Sequence, residues 1–173
     1  GFSLMMEGLS TIASAELPCV IMNVQRGGPG AGSTQTSQMD YFQATKGGGH
    51  GDYRMPVLAP ASAQECFDFV QLAFYLADKY SNPAMILSDA MIGQMMEKVE
   101  LRTLEFGPVP EKNWAVKIGR KSKKRESLIH NAPGINIVYQ EYLKRIKKRH
   151  EQMIREEVRY EARDIDDASL ILV

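Results

Sequence analysis

The chain has 173 residues, 44% hydrophobic and 24% charged, with basic and acidic side chains in equal number; this is the composition of a globular domain with room for one core. Its apolar runs, such as Val20 to Met22 and Leu170 to Val173, fall far short of the roughly 20 residues a bilayer span requires. Gly1 does not open a signal peptide, so the expected location is the cytoplasm, and Cys19 and Cys66, with no Cys-x-x-Cys pair to hold zinc or an iron–sulfur cluster, read as buried, inert thiols.

In chain order, Phe2 to Ala15 places Leu4, Met5, Leu9, Ile12 and Ala13 at helical spacing, and Cys19 to Val24 follows as an apolar strand. The chain then gathers glycine into two clusters, Gly27-Gly-Pro-Gly-Ala-Gly32 and Gly47-Gly-Gly-His-Gly51. Glycine is needed where the backbone takes positive φ or comes close to a bound molecule, so clusters behind a buried strand point to the ligand-facing edge of an α/β sheet. A second unit repeats the order. Val57 to Ala59 is a short strand, Ser62 an N-cap with Glu65 in capping-box position, Ala63 to Tyr80 a helix and Pro83 to Leu87 the next strand. Helices between short apolar strands predict an α/β fold, a parallel sheet with flanking helices and right-handed crossovers.

Residues 101–132, with Pro108 and Pro110 and no sustained period, suit an extended linker arm. A long helix is expected from Gly134 to about Arg163, with Ile135, Tyr139, Tyr142, Leu143, Ile146, Met153, Ile154 and Val158 near a 3.6-residue repeat. Its stripe is expected to cover another chain or a further domain. A turn at Asp166-Asp-Ala168 leads to Ser169–Val173, read as the first strand of a truncated C-terminal domain. The organisation expected is a partial sheet domain over 1–100, the arm over 101–132, and the helix and strand over 133–173. Charge supports this division: residues 1–100 carry 5 Lys+Arg and 10 Asp+Glu, residues 101–173 carry 16 and 11. The basic run Lys117–Arg125 lacks interleaved aromatics and any nucleic-acid module, and reads as a solvated connector.

Gly27 to Ser33 lacks the Lys-Ser/Thr ending of a P-loop, Lys46 precedes its glycines, and no helix follows the first loop directly as a dinucleotide fingerprint requires. Met5, Met6, Met91, Met95 and Met96 read as flexible packing beneath subunit contacts. Arg26 ends the first strand, and its planar guanidinium suits a carboxylate; the alternative is an Arg that caps loop carbonyls or lies on the surface. His50 and Asp52 sit in the second glycine loop, where an imidazole can move a proton and a carboxylate can orient it. A loop-stabilising pair is the alternative.

Gly1-Phe-Ser-Leu-Met-Met-Glu7, Val24-Gln-Arg-Gly-Gly-Pro-Gly30, Asp40-Tyr-Phe-Gln-Ala-Thr-Lys-Gly-Gly-Gly-His-Gly-Asp-Tyr53, Leu58-Ala-Pro-Ala-Ser-Ala-Gln-Glu65 and Ile92-Gly-Gln-Met-Met-Glu97 together resemble the α subunit of the 2-oxoacid:ferredoxin oxidoreductases. The likeness extends over almost the whole chain. The second glycine cluster looks most like the branched-chain (2-oxoisovalerate) type, with the 2-oxoglutarate type second. The resemblance implies a thiamine diphosphate enzyme whose α subunit supplies the pyrimidine-binding domain, while a β subunit holds the diphosphate and Mg2+ and small subunits carry 4Fe-4S clusters. It implies oxidative decarboxylation of a 2-oxo acid, transfer of the acyl group to coenzyme A and of electrons to ferredoxin. It places Arg26, with Gly27 and Gly28, at the substrate carboxylate and Gly1 and Phe2 at the cofactor, while His50 and Asp52 remain the catalytic candidates read from the second loop. The family's activating Glu precedes the motif that ends at Gly1, so Glu7 is not that residue and the isolated chain is expected to be inactive. The reading from a different class is a non-catalytic subunit-interaction domain.

Overall fold

The computed structural model describes residues 1–112, 115, 136–160 and 169, the side chains of 136–138 excepted. The basic run Lys117–Arg125, the rest of the arm beyond residue 112 apart from residue 115, and the 166–173 turn and strand lie outside the described residues, Ser169 apart. The first predicted helix divides into a 3-10 turn, Phe2–Met5, and helix α1, Met6–Ser14. Gly1 offers no side-chain cap, and the first turn closes tightly through Leu4 N donating to Gly1 O at 3.0 Å. Next come β1 (Cys19–Gln25), a short α2 (Tyr41–Thr45), β2 (Val57–Leu58), α3 (Ala63–Tyr80), β3 (Pro83–Asp89), α4 (Ala90–Gln94) and the long α5 (Asn136–Glu157).

The sheet is parallel with order β1-β3-β2. All seven residues of β3 are buried, as a central parallel strand requires. In β1, Ile21, Asn23 and Gln25 are buried while Met22 and Val24 are exposed, the alternation of an edge strand. Cys19 pairs with Pro83 and the register runs to Gln25 with Asp89, so these two strands end level. Successive side chains of β3 serve opposite layers. Met85 and Leu87 pack under Phe2, Met6, Leu9 and Ala13 of the N-terminal helix. Ala84 and Ile86 pack under Leu72, Ala73, Leu76, Ala77 and Tyr80 of α3. Both cysteines are free and only half-buried, short of the full burial expected.

Ser62 caps α3, its Oγ accepting from Glu65 N at 3.1 Å. The Glu65 carboxylate reaches back to Ala61 N at 2.7 Å, one residue beyond the usual capping-box partner. The chain after α4 runs extended along α3, matched by side-chain amides. Gln64 exchanges hydrogen bonds with the backbone of Glu100, Gln71 bonds Arg102 O and Leu104 N, and Phe106 stacks on Tyr75 at 4.8 Å.

Helix α5 departs from expectation, because it packs on this domain and not away from it. Tyr142 OH donates to Ser14 O at 3.2 Å, Arg145 and Arg149 bind Glu16, and Arg149 also reaches Ser81 O at 3.3 Å. Lys79 and Tyr80 hold Glu157 at 2.7 and 2.8 Å. Tyr142 and Met153 are thereby buried, whereas Ile154 is 52% exposed. Glu16 and Ser81 both lie in left-handed turns directly before the strands begin. The helix therefore covers the edge where β1 and β3 start, and the edge where they end stays open.

Candidate functional site at the ends of the strands

Parallel α/β sheets bind ligands beyond the carboxyl ends of their strands, and here Gln25, Ala59-Pro60, Leu87 and Asp89 line a cavity of about 670 Å3 at that edge. Its other wall is Gln38, Met39, Tyr41 and Phe42. Apolar faces dominate with a few convergent polar groups, the usual make-up of a small-molecule site.

The first glycine loop reaches this wall by closing on itself. Arg26 pairs its backbone with Thr36, and Ser33 N donates to Gly27 O at 2.8 Å. Gly32 has φ +65°, and a Cβ there would lie 1.9 Å from Gly27 O, so only glycine fits. The returning segment is tied to the sheet by side chains. Asn23 Nδ2 donates to Asp40 Oδ2 at 3.1 Å, Asp40 N to Gln25 Oε1 at 3.3 Å, and Gln38 Nε2 to Asp89 Oδ2 at 2.7 Å. Asp89 Oδ1 accepts from Ile92 N at 2.9 Å and so caps α4. The hydrogen bonds from Gln38 and from the Ile92 backbone hold the Asp89 carboxyl below its ordinary range, leaving it ionised at neutral pH. Buried Asn23, Gln25 and Asp89 thus each have a hydrogen-bond partner for the side chain.

Arg26, Gly27 and Gly28 share the loop that leaves β1. Arg26 is exposed and, among the described residues, its guanidinium has no hydrogen-bond or ion-pair partner, so it does not cap loop carbonyls. His50 and Asp52 lie exposed on the second loop, and neither side chain has such a partner, so no bond joins the two. That loop packs on the start of α1. A Cβ at Gly48 would meet Met6 Cε at 1.9 Å and one at Gly49, where φ is +71°, would meet Met6 O at 2.6 Å. Tyr53 is buried beneath, its hydroxyl donating to Gly48 O; burial pushes that phenol up. Gly1 is exposed, and the ring of Phe2, the next residue, is a core side chain among Met6, Leu9 and Tyr53. No hydrogen bond connects the Arg26 group with the His50 group. Of the methionines read as packing, Met6 is buried, while Met5, Met91, Met95 and Met96 are exposed.

Asn23, Gln25, Gln38, Asp40 and Asp89 escaped the sequence reading. The signal was there for two of them: Asn23 and Gln25 fall on the inward positions of β1, in phase with Ile21, and a polar residue at an inward position demands a partner.

The geometry defines an α/β domain with a cavity at the carboxyl edge of its sheet and an exposed Arg26 on the loop that leaves β1. The family described as pyruvate flavodoxin/ferredoxin oxidoreductase, thiamine diP-bdg, matches residues 1–164, and the chain belongs to it. It is 41% identical over 176 residues to the ketoisovalerate oxidoreductase subunit VorB of Methanothermobacter thermautotrophicus, an alignment covering 100% of this chain and 49% of that protein. It is 49% identical over 102 residues to the 2-oxoglutarate synthase subunit KorA of the same organism, covering 58% of this chain and 27% of that protein. The chain thus spans about half the length of the curated relative it matches end to end. A solved 2-oxoglutarate:ferredoxin oxidoreductase from Magnetococcus marinus, with 2-oxoglutarate, coenzyme A and succinyl-CoA bound, shares the fold. The TM-score is 0.67 at 24% identity over 91% of this chain and 32% of that one. The family resemblance and the α/β parallel-sheet fold expected from the sequence are both borne out. Among the described residues no helix is long and apolar enough to cross a membrane.

Proposed function

We propose that the chain is the pyrimidine-binding part of the α subunit of a 2-oxoacid:ferredoxin oxidoreductase, which converts a 2-oxo acid and coenzyme A to an acyl-CoA and passes the electrons to ferredoxin. The observation that carries this reading is the largely apolar cavity at the carboxyl edge of the sheet, with Arg26 exposed on the loop that follows its lining residue Gln25 and its guanidinium unpartnered among the described residues.

The residues present suit one end of thiamine diphosphate. Met39, Tyr41, Phe42 and Leu87 offer apolar faces to a flat heteroaromatic ring, and Gly1, next in sequence to buried Phe2, offers exposed backbone. No cation lines the cavity, and among the described residues no cluster of three acidic, His or Cys side chains forms a metal site. In this reading, as the family resemblance implies, the diphosphate and Mg2+ are held by a β subunit and the 4Fe-4S clusters by further subunits. When bound, the cofactor supplies the nucleophilic carbon and the electron sink. This chain's residues bind and orient. Arg26 grips the substrate carboxylate in a two-point fork, with Gly27 and Gly28 letting the loop backbone approach. His50 moves a proton at the second loop and Asp52 orients it once a partner subunit covers them. The apolar lining, with ionised Asp89 at its base, favours a 2-oxo acid with an apolar side chain over one ending in a second carboxylate.

The test is to assemble the full-length subunit with its partner subunits, titrate thiamine diphosphate by calorimetry and follow ferredoxin reduction with branched-chain 2-oxo acids and with 2-oxoglutarate. Reduction that prefers the branched substrates is expected. Cofactor binding with no turnover of any 2-oxo acid would leave the non-catalytic interaction domain as the correct reading.

A further inference from the structure

The wall segment Thr36–Asp40 has no helix or strand of its own, yet it lines the cavity and leads into Tyr41 and Phe42. Besides the Arg26–Thr36 backbone pairing and a bond from Gly28 N to Met39 Sδ at 3.4 Å, two side-chain ties join it to the sheet. Asp40 is bound through its backbone N–H and its carboxylate to Gln25 and Asn23, both on the edge strand β1. Gln38 reaches 51 residues along the chain to the last residue of the central strand, donating from Nε2 to Asp89 Oδ2 at 2.7 Å. Asp89 is buried, and its other oxygen is taken by Ile92 N at 2.9 Å. Each carboxylate oxygen thus has its donor, one from the wall and one from the first turn of α4, so Asp89 fixes the wall and does not serve as a free acid or base. A charge-assisted bond from a side-chain amide to a buried carboxylate is both stronger and more directional than a contact with solvent-exposed backbone.

We propose that Gln38 and Asp89 are positioning residues that set the width of the cavity for the substrate side chain, holding the Met39–Tyr41 wall at a fixed separation from Leu87 and Pro60. This rests on the reading that the cavity receives that side chain. Loss of the Gln38 tie removes the side-chain link from this segment to the end of β3, leaving it held by β1, by the first glycine loop and by the packing of Ala44 in α2.

The pair admits a polarity swap. In the full-length subunit within its complex, Gln38→Glu sets a second carboxylate against Asp89, and Gln38→Met removes the donor without adding charge. The double variant Gln38→Glu with Asp89→Asn reverses the bond. The Asn Nδ2 then donates to the new carboxylate, while its Oδ1 still accepts from Ile92 N and remains a good helix cap. Both single variants should raise KM for a branched 2-oxo acid about tenfold or more, the range of one charged hydrogen bond, with kcat, measured at saturating thiamine diphosphate, within about threefold. Amide hydrogen exchange over residues 36–42, measured without substrate, should quicken about tenfold in the same variants, and the swap should restore both readouts. Exchange unaltered in Gln38→Met overturns the tie. Quickened exchange with unaltered KM, or a swap that restores neither readout, overturns the positioning role. An unsubstituted complex that turns over no 2-oxo acid defeats the functional reading, and with it the substrate part of the role, while exchange still decides whether the tie exists.

Discussion

Arg149, in the middle of the long C-terminal helix, binds Glu16 in the left-handed turn between the first helix and the first strand. Arg145, one turn earlier, binds the other oxygen of the same carboxylate. Burial alone would raise the Glu16 carboxyl, but the Arg145 hydrogen bond and the charge of Arg149 outweigh it and hold it below the ordinary range. This triad turns a solvent-loving helix, rich in Lys and Arg, into part of the domain.

Removing Arg149 should therefore cost more than its count of bonds suggests, because Glu16 would keep its burial and lose part of its compensation. For Arg149→Ala we expect a loss of about 2 kcal/mol of unfolding free energy, read from urea denaturation. Lys144→Ala, which breaks a pair with Glu141 between side chains 70% and 64% exposed, should cost less than about 1 kcal/mol. Equal, small losses would mean that the helix is not held through Glu16.

Stability should also fall in acid, with a sign fixed by the carboxylates. Glu16 and Asp89 both have folded values below their unfolded ones. Their contribution is complete above the unfolded value of about 4 and is lost as pH falls through the folded values. Glu156 is likewise drawn down, to about 2, chiefly by its hydrogen bond to Lys79. Thermal melting from pH 7 to pH 3 should show Tm declining below about pH 5. Glu16→Gln should lower Tm at pH 7 and approach the parent at pH 3. A gap that stays constant with pH would show that Glu16 carries no ionisation-linked stability.

The glycine clusters divide into positions that need glycine and positions that do not. At Gly49 an added Cβ is strained by φ +71° and collides with Met6 O, whereas at Gly28 nothing lies within 4 Å. Gly49→Ala should cost on the order of 2 kcal/mol or more, and Gly28→Ala should stay within about 0.5 kcal/mol. Comparable effects at both would show the second loop yielding instead of packing on α1.

How much of this was legible beforehand depends on whether a residue's neighbours are near in sequence. Helix α3 was read with both ends as observed, Ala63–Tyr80, because Ser62, Glu65 and the apolar period all act within a few residues. Strands β1 and β3 were read one and two residues short, at Gln25 and at Ser88-Asp89, since polar residues at a strand end look like loop until their partners are known. Helices α2 and α4, five residues each, carry too little period to register. The α5 stripe was visible, but its partner surface was not. The docking rests on Glu16, an acidic residue in a turn more than a hundred positions away, which no hydrophobic pattern announces. The same holds for the cavity wall. Arg26 and the glycines were conspicuous, whereas Gln38 and Asp89 acquire meaning only from a contact spanning 51 residues.

The most direct test of the account is the substitution of Arg26 in the assembled complex. Its exposed, unpartnered guanidinium leaves little structure to disturb, so an effect on catalysis reports on ligand binding. Charged hydrogen bonds are worth roughly 1.5 to 3 kcal/mol, so Arg26→Ala should lower kcat/KM for the 2-oxo acid about tenfold to a hundredfold or more. Arg26→Lys, which keeps the charge and loses the fork, should fall between, and thiamine diphosphate affinity should be unchanged in both. An Ala variant with unchanged kcat/KM, or one whose whole defect is reversed by added cofactor, would contradict the account and make Arg26 a loop residue.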